Sequence, residues 1–247
     1  MLAAAAVCPC PPLLQPQVAA GAAAELAALR ESCAAALDTL AEARPDRLVV
    51  LGPGAGEDRT PYPPGTPGSF RGFGAAVDVV LGSGSPHPGA APLPASLAGA
   101  APLPASLAVG AWLLADHGWA ACPVEGLAVG TGCPPGRCAE LGAALAAGPA
   151  RTSLLVLGDG SACRTVKAPG YLDERAAPFD ALAAEALGAA DTAALAGLDP
   201  VLAEEIGAAG RAPWQVLAGA AAGAGLAGKL LYDEAPYGVG YFVAAWS

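Results

Sequence analysis

Apolar residues along this chain fall into two patterns. Short unbroken apolar runs predict buried strands, and longer stretches with apolar residues every three or four positions predict helices. Strands are expected at Leu2–Val7, Arg47–Leu51, Val124–Val129 and Thr152–Leu157, the last breaking at Gly158, with a weaker one at Ala75–Leu81. A helix is expected over Ala22–Ala43, where Leu26, Leu29, Cys33, Leu37 and Leu40 fall at roughly helical spacing and Pro45 supplies a stop. Further helices are expected at about Ser106–His117, Ala139–Ala147, Glu174–Leu187, Asp191–Ala196, Pro200–Ala208 and Pro213–Ala222. Two strands close the chain, Lys229–Tyr232 and Gly240–Ala245.

Strands alternating with helices predict a single α/β domain over residues 1–247, with a mostly parallel central sheet covered by helices on both faces. Ligands in such sheets sit beyond the carboxyl ends of strands. The loops at 8–14, 52–60 and 158–171 leave such ends. Residues 82–105 interrupt the pattern with a Pro/Ala/Gly loop of low complexity. In it Ala91-Pro-Leu-Pro-Ala-Ser-Leu-Ala98 recurs as Ala101 to Ala108, too short and too proline-rich for a solenoid repeat.

Composition narrows the classes. The apolar fraction is 54%, but aromatics supply only 5% and alanine much of the rest, so close helix–sheet contacts are expected. The Ala/Gly/Pro/Arg bias with one Met is that of a GC-rich coding sequence. A net charge of −10 argues against nucleic acid and anionic membranes as partners. No stretch reaches membrane-spanning length without Gly, Pro or charge. Leu2–Val7 lacks the basic flank of a signal peptide. Seven cysteines, an odd number, fit reduced thiols and a cytoplasmic protein better than a disulfide framework.

Chemistry-bearing residues gather on the strand-end loops. Asp159, Ser161, Arg164 and Lys167 follow one strand end, Glu57 and Asp58 follow another, and Arg211 opens a helix. Such a set suits a small phenolic or carboxylate ligand, because arginines and helix starts favour anions. The plainer alternative is that Asp159 caps its loop while Arg164 and Lys167 are solvated. Tyr171, Asp173 and Asp180 read as a turn and a helix cap. Cys10 is a candidate reactive thiol, with Lys167 or Arg211 as the cation that would activate it. Cys8-x-Cys10 and Cys133-x4-Cys138 together would offer four thiolates to a soft metal, although neither spacing is the common C-x2-C knuckle. Cys33 reads as core packing. His87 reads as a loop residue, and His117 as a helix-terminal one.

Gly158-Asp-Gly-Ser-Ala162, followed by Ala168-Pro-Gly-Tyr-Leu-Asp173 and Phe179-Asp180, resembles the class III extradiol ring-cleavage dioxygenases, in their LigB-type subunit and Memo-like relatives. Cys8–Leu14, Leu48–Gly54, Ala208–Arg211 and Val239–Tyr241 resemble further segments of that family in the same order. The resemblance implies a LigB-like sheet and ferrous iron held by two histidines and a carboxylate, with another histidine as acid or base. The ligand positions it implies fall on Cys10, Gly54 and Ala209, and the acid–base position on Ala162. The expected reading is therefore a dioxygenase-like protein with a degenerate metal site and no bound cofactor. It would act as a binding or partner subunit, or as a homo-oligomer. Two alternatives stand beside it: altered chemistry in the same cleft, through Cys10 with Asp159 or a non-standard metal site, and ring cleavage with an unexpected ligand set on iron.

Overall fold

The chain begins and ends inside the same sheet. In the computed structural model, which describes residues 1–56, 58–82 and 101–247, β1 (Leu2–Cys8) is followed by short α1 (Pro16–Ala19), α2 (Ala27–Glu42) and β2 (Arg47–Gly54). After these come β3 (Arg59–Tyr62), β4 (Pro67–Ser69), β5 (Asp78–Val80), α3 (Ala105–His117), β6 (Val124–Gly130), α4 (Pro135–Ala146) and β7 (Thr152–Leu157). The last third holds α5 (Ala176–Ala189), α6 (Thr192–Ala196), α7 (Pro200–Glu205), α8 (Arg211–Ala221), β8 (Gly228–Glu234) and β9 (Tyr241–Trp246). Glu57, His87 and the first copy of the repeat lie outside the described residues.

Seven strands form the main sheet in the order β3-β6-β2-β7-β1-β9-β8. Its four inner strands, β6, β2, β7 and β1, run parallel. The flanking strands β3, β9 and β8 run antiparallel to their neighbours. The fold is thus an α/β domain with a mostly parallel sheet between helical layers.

Side-chain alternation assigns each strand to both layers. Ala5 and Val7 of β1 face the core under α4, α5 and α8. Ala4, Ala6 and Cys8 face the core under α2 and α3. On α2, Leu29, Cys33, Ala36, Leu37 and Leu40 form one fully buried stripe, each leucine contributing about 1.5–3 kcal/mol on burial. The helix starts at Ala27, after a 3-10 stretch over Ala20–Leu26, so only the later part of the expected Ala22–Ala43 span is α-helical. Helices α6 and α7 start where Asp191 and Asp199 accept hydrogen bonds from the first-turn amides, the local satisfaction that short helices need.

On the other face, α4 and α8 meet backbone to backbone. A Cβ added at Gly142 would overlap the Val216 carbonyl oxygen and the Ala220 nitrogen, and one at Gly219 would overlap the Ala139 backbone. These two glycines let the helices approach closer than side chains allow, which maximises dispersion contact between them.

Two expectations are corrected. The strand expected at Ala75–Leu81 shortens to β5, and it pairs with β4 outside the main sheet. The cause is a 3-10 turn over Arg71–Phe73 that reverses the chain at Gly74, whose φ is 85°. The helix expected from Ala139 begins a turn earlier, because Pro135 occupies the first helical position, where its missing N–H costs nothing.

Candidate functional site

The parallel strands all point their carboxyl ends to one edge of the sheet. Cys8, Gly54, Gly130 and Leu157 are the last residues of β1, β2, β6 and β7 there. Antiparallel β9 starts at this edge with Tyr241, and β3 starts there with Arg59. The loop after β7 is sewn to the start of β9: Gly160 N donates to Gly240 O at 2.7 Å, and Gly240 N to Ser161 O at 2.9 Å.

Three ionisable side chains gather at this junction. The backbone N–H of Cys10 donates to Asp159 Oδ1 at 2.7 Å. Loss of water around Asp159 pushes its carboxyl up to about 6, against the partial compensation of that hydrogen bond. The Cys10 thiol is buried, and burial first, then the Asp159 charge, hold it well above its ordinary value. Tyr241 is 2% exposed, and burial, then Asp159 and Cys10, keep its phenol protonated. Near neutral pH the group is therefore a neutral thiol, a carboxyl that exchanges its proton within reach of neutrality, and a neutral phenol. The charge that acts on the Cys10 thiol is the Asp159 carboxylate, which raises it further, and a buried neutral thiol is a poor nucleophile. Tyr241 was not among the residues the sequence singled out for the site. The signal was its position as the first residue of the last strand, which gains meaning only once that strand is known to run antiparallel beside β1.

The two arginines expected to bind a ligand are held by partners within the protein. Asp180, buried on α5, accepts from Ser161 N and Ser161 Oγ, each at 2.7 Å, and from Arg164 Nη1 at 3.0 Å. Gly160 and Gly240 leave room for its carboxylate, since a Cβ on either would meet it. Ser161 and Arg164 thus hold the loop through Asp180 rather than facing a ligand. Arg211 is 2% exposed, and its guanidinium donates to the carbonyls of Cys133 and Thr131 and to Gln215 Oε1. It pins the start of α8 to the turn after β6, and neutral carbonyls take the place of an anion. Lys167 is exposed on the loop. Asp173 forms an ion pair with Arg175 at the entry to α5, which holds its carboxyl down at about 2.

Hydrogen bonds tie together the loops that carry the positions to which the resemblance assigns the metal. Gly158 N donates to Cys8 O, Cys10 N to Asp159, Gly210 N to Asp159 O, and Thr131 N to Gly54 O. Cys10, Gly54, Ala162 and Ala209 accordingly share one edge of the sheet. Their side chains do not fit iron. Gly54 offers no donor, and an added Cβ would sit 3.0 Å from Ala128 Cβ. Ala162 and Ala209 carry methyl groups, which leaves Cys10 as the one side chain of the four with a donor atom. Among the described residues no three His, Cys, Asp or Glu side chains come together in a form that could hold a metal ion.

Two depressions open near this edge. One of about 140 Å³ is lined by Thr131, Glu204, Ala209 and Arg211 among others, well below the roughly 300–1,000 Å³ typical of small-molecule sites. The other, about 470 Å³, lies beside the end of β6 and the first turns of α4, lined by Asp58, Arg59, Cys133, Arg137, Glu140, Leu141 and Ala144.

The cysteines separate rather than converge. Cys8 and Cys10 belong to the core under α2 and α3, and Cys133 and Cys138 to the core on the opposite face. The sheet between them rules out one shared four-thiolate site. Cys8 instead meets Cys33 of α2, and the hydrogen bond between these thiols, followed by burial, raises the Cys8 thiol. His117, on the last turn of α3, pairs through Nε2 with Asp38 of α2 at 2.9 Å and links the two helices.

The chain matches no family model and no curated protein. Among solved structures it is similar to the crystal structure of the uncharacterized protein JW3007 from Escherichia coli K12. The identity is 14%, the TM-score 0.51, and 98% of each chain is covered. At that identity the likeness shows the fold, here over nearly the full length of both chains. Among the described residues, no helix is long and apolar enough to cross a membrane.

Proposed function

We propose that the chain is a divergent relative of the class III extradiol dioxygenases that works as a binding or partner subunit and not by iron-dependent ring cleavage. The observation that carries this reading is the sheet edge itself. The four positions that the resemblance assigns to ligands and acid–base catalyst lie on the loops of that edge, and they offer one thiol, two methyl groups and a glycine. The loop that leaves β7 supports the partner half of the reading. It presents Val166, Tyr171 and Leu172 to solvent, 57%, 64% and 46% exposed, apolar surface on one loop that a protein partner would cover. Tyr171 keeps a left-handed backbone with φ 64°, a cost that side chains other than glycine seldom accept.

The test is anaerobic loading with ferrous iron, removal of excess, metal analysis and an optical assay for catechol ring opening. The expected result is substoichiometric iron and no ring-opened product above a protein-free blank. Stoichiometric iron together with turnover would overturn the proposal in favour of ring cleavage with an unexpected ligand set.

A further inference from the structure

Two pairs of cysteines lie beside each other, Cys8 with Cys33 and Cys133 with Cys138, and Cys133 of the second pair lines a surface groove. Cys8 and Cys33 are both fully buried between β1 and α2. Cys133 and Cys138 flank the start of α4 in the sequence Cys-Pro-Pro-Gly-Arg-Cys. Pro135 fixes the first helical residue, so Cys138 lies in the opening turns and its side chain leans back toward the helix start. Cys138 Sγ donates to Cys133 O at 3.7 Å, and Cys133 Sγ to Pro134 O at 3.9 Å, so both thiols sit at the same turn. Cys133 forms part of the wall of the 470 Å³ groove, beside Arg59 and Arg137, while Cys138 is 0% exposed behind it.

We propose that Cys133 and Cys138 form a thiol–disulfide exchange site, with the groove admitting a small disulfide that carries charged groups of both signs. Cys133, on the groove, is the attacking residue. Its thiolate bonds to one sulfur of the incoming disulfide, the S–S bond breaks, and the first thiol leaves with the proton Cys133 gave up. Cys138 then loses its proton and bonds to the Cys133 sulfur, which releases the second thiol. The balance is two protein thiols and one small disulfide giving one protein disulfide and two small thiols, and no other oxidant is needed. Closure requires the two sulfurs to leave their carbonyl acceptors and come within about 2 Å of each other. That motion stays local, since one partner is on the turn that Arg211 holds and the other on the first turns of α4. Arg59 and Arg137 line the groove together with Asp58 and Glu140, and Arg137 pairs with Glu140 at 2.7 Å, so the groove meets a disulfide with charges of both signs.

The test uses the wild-type chain, glutathione disulfide as the probe, acid quenching and alkylation of remaining thiols. Arg137 lies between the two cysteines, so tryptic digestion separates their peptides when reduced and leaves them joined when oxidised. The expected result is joined peptide forming at least tenfold faster than any loss of alkylatable Cys8 or Cys33. Cys133→Ser should abolish it, and Cys138→Ser should accumulate the mixed disulfide on Cys133. The proposal fails if Cys133 and Cys138 in the wild type stay alkylatable as long as Cys8 and Cys33 do. It also fails if the folded Cys133→Ser variant, checked by circular dichroism, still yields joined peptide.

Discussion

Asp159 is charged at neutral pH in a place that disfavours charge, so removing the charge should stabilise the fold in a pH-dependent way. The substitution Asp159→Asn keeps an oxygen to accept the Cys10 N–H and removes the ionisation. The carboxyl sits at about 6 in the folded chain against 3.8 for its ordinary value. A carboxyl raised on folding binds its proton more tightly in the native state, so its contribution is most favourable at low pH and is lost as pH rises through the native value. The loss amounts to about 1.6 kcal/mol at pH 5 and about 3 kcal/mol at pH 7.5, taking 1.36 kcal/mol per unit. The variant should therefore gain about 1.4 kcal/mol more stability, relative to wild type, at pH 7.5 than at pH 5. Urea denaturation of both proteins at the two pH values reads this difference directly, and other titrating groups cancel in the comparison. An equal effect of the substitution at both pH values would refute the reasoning, because Asp159 would then hold the same charge throughout.

Other consequences of the geometry can be checked as simply. Asp180→Ala should cost about 3–5 kcal/mol, since it strands the buried Ser161 donors and the Arg164 guanidinium, and thermal melting would show it. Gly142→Ala should destabilise by about 2–4 kcal/mol by forcing α4 off the α8 backbone, with a lowered urea midpoint as the readout. Tyr171→Gly should leave the melting temperature unchanged or raise stability by up to about 1 kcal/mol, because it relieves the left-handed strain of an exposed side chain. Loss of folding in that variant would show that Tyr171 is a packing residue and would remove the interface argument.

What the sequence made legible was set by how local each signal is. The inner strands were readable because Leu154 to Leu157 and Leu48 to Leu51 are apolar on both faces, as parallel strands buried between helices must be. β3 escaped notice because Arg59-Thr-Pro-Tyr62 is an exposed edge strand, where a polar sequence and a proline are tolerated. The candidate site was legible in part. The loops that build it were identified from the strand ends they follow. The use of Ser161, Arg164 and Arg211 could not be, because each depends on a partner far along the chain: Asp180 for two of them, Thr131 and Cys133 for the third. The elevated Asp159 carboxyl likewise depends on burial, which no local pattern records.

The place of β9 bears on how this protein is made. β9 lies between β1 and β8, so β1 has an open edge until residues 241–246 arrive. At translation rates of ~5–20 residues per second, that wait lasts roughly 10–50 s. Through that interval the alanine-rich first strand pairs only with β7 on its other side, and only once β7 has itself been synthesised. The Cys10–Asp159–Tyr241 group is thus assembled by the last strand to be delivered. A ribosome-stalled chain ending short of β9 would leave that edge of β1 unpaired and would lack Tyr241, and with it the group.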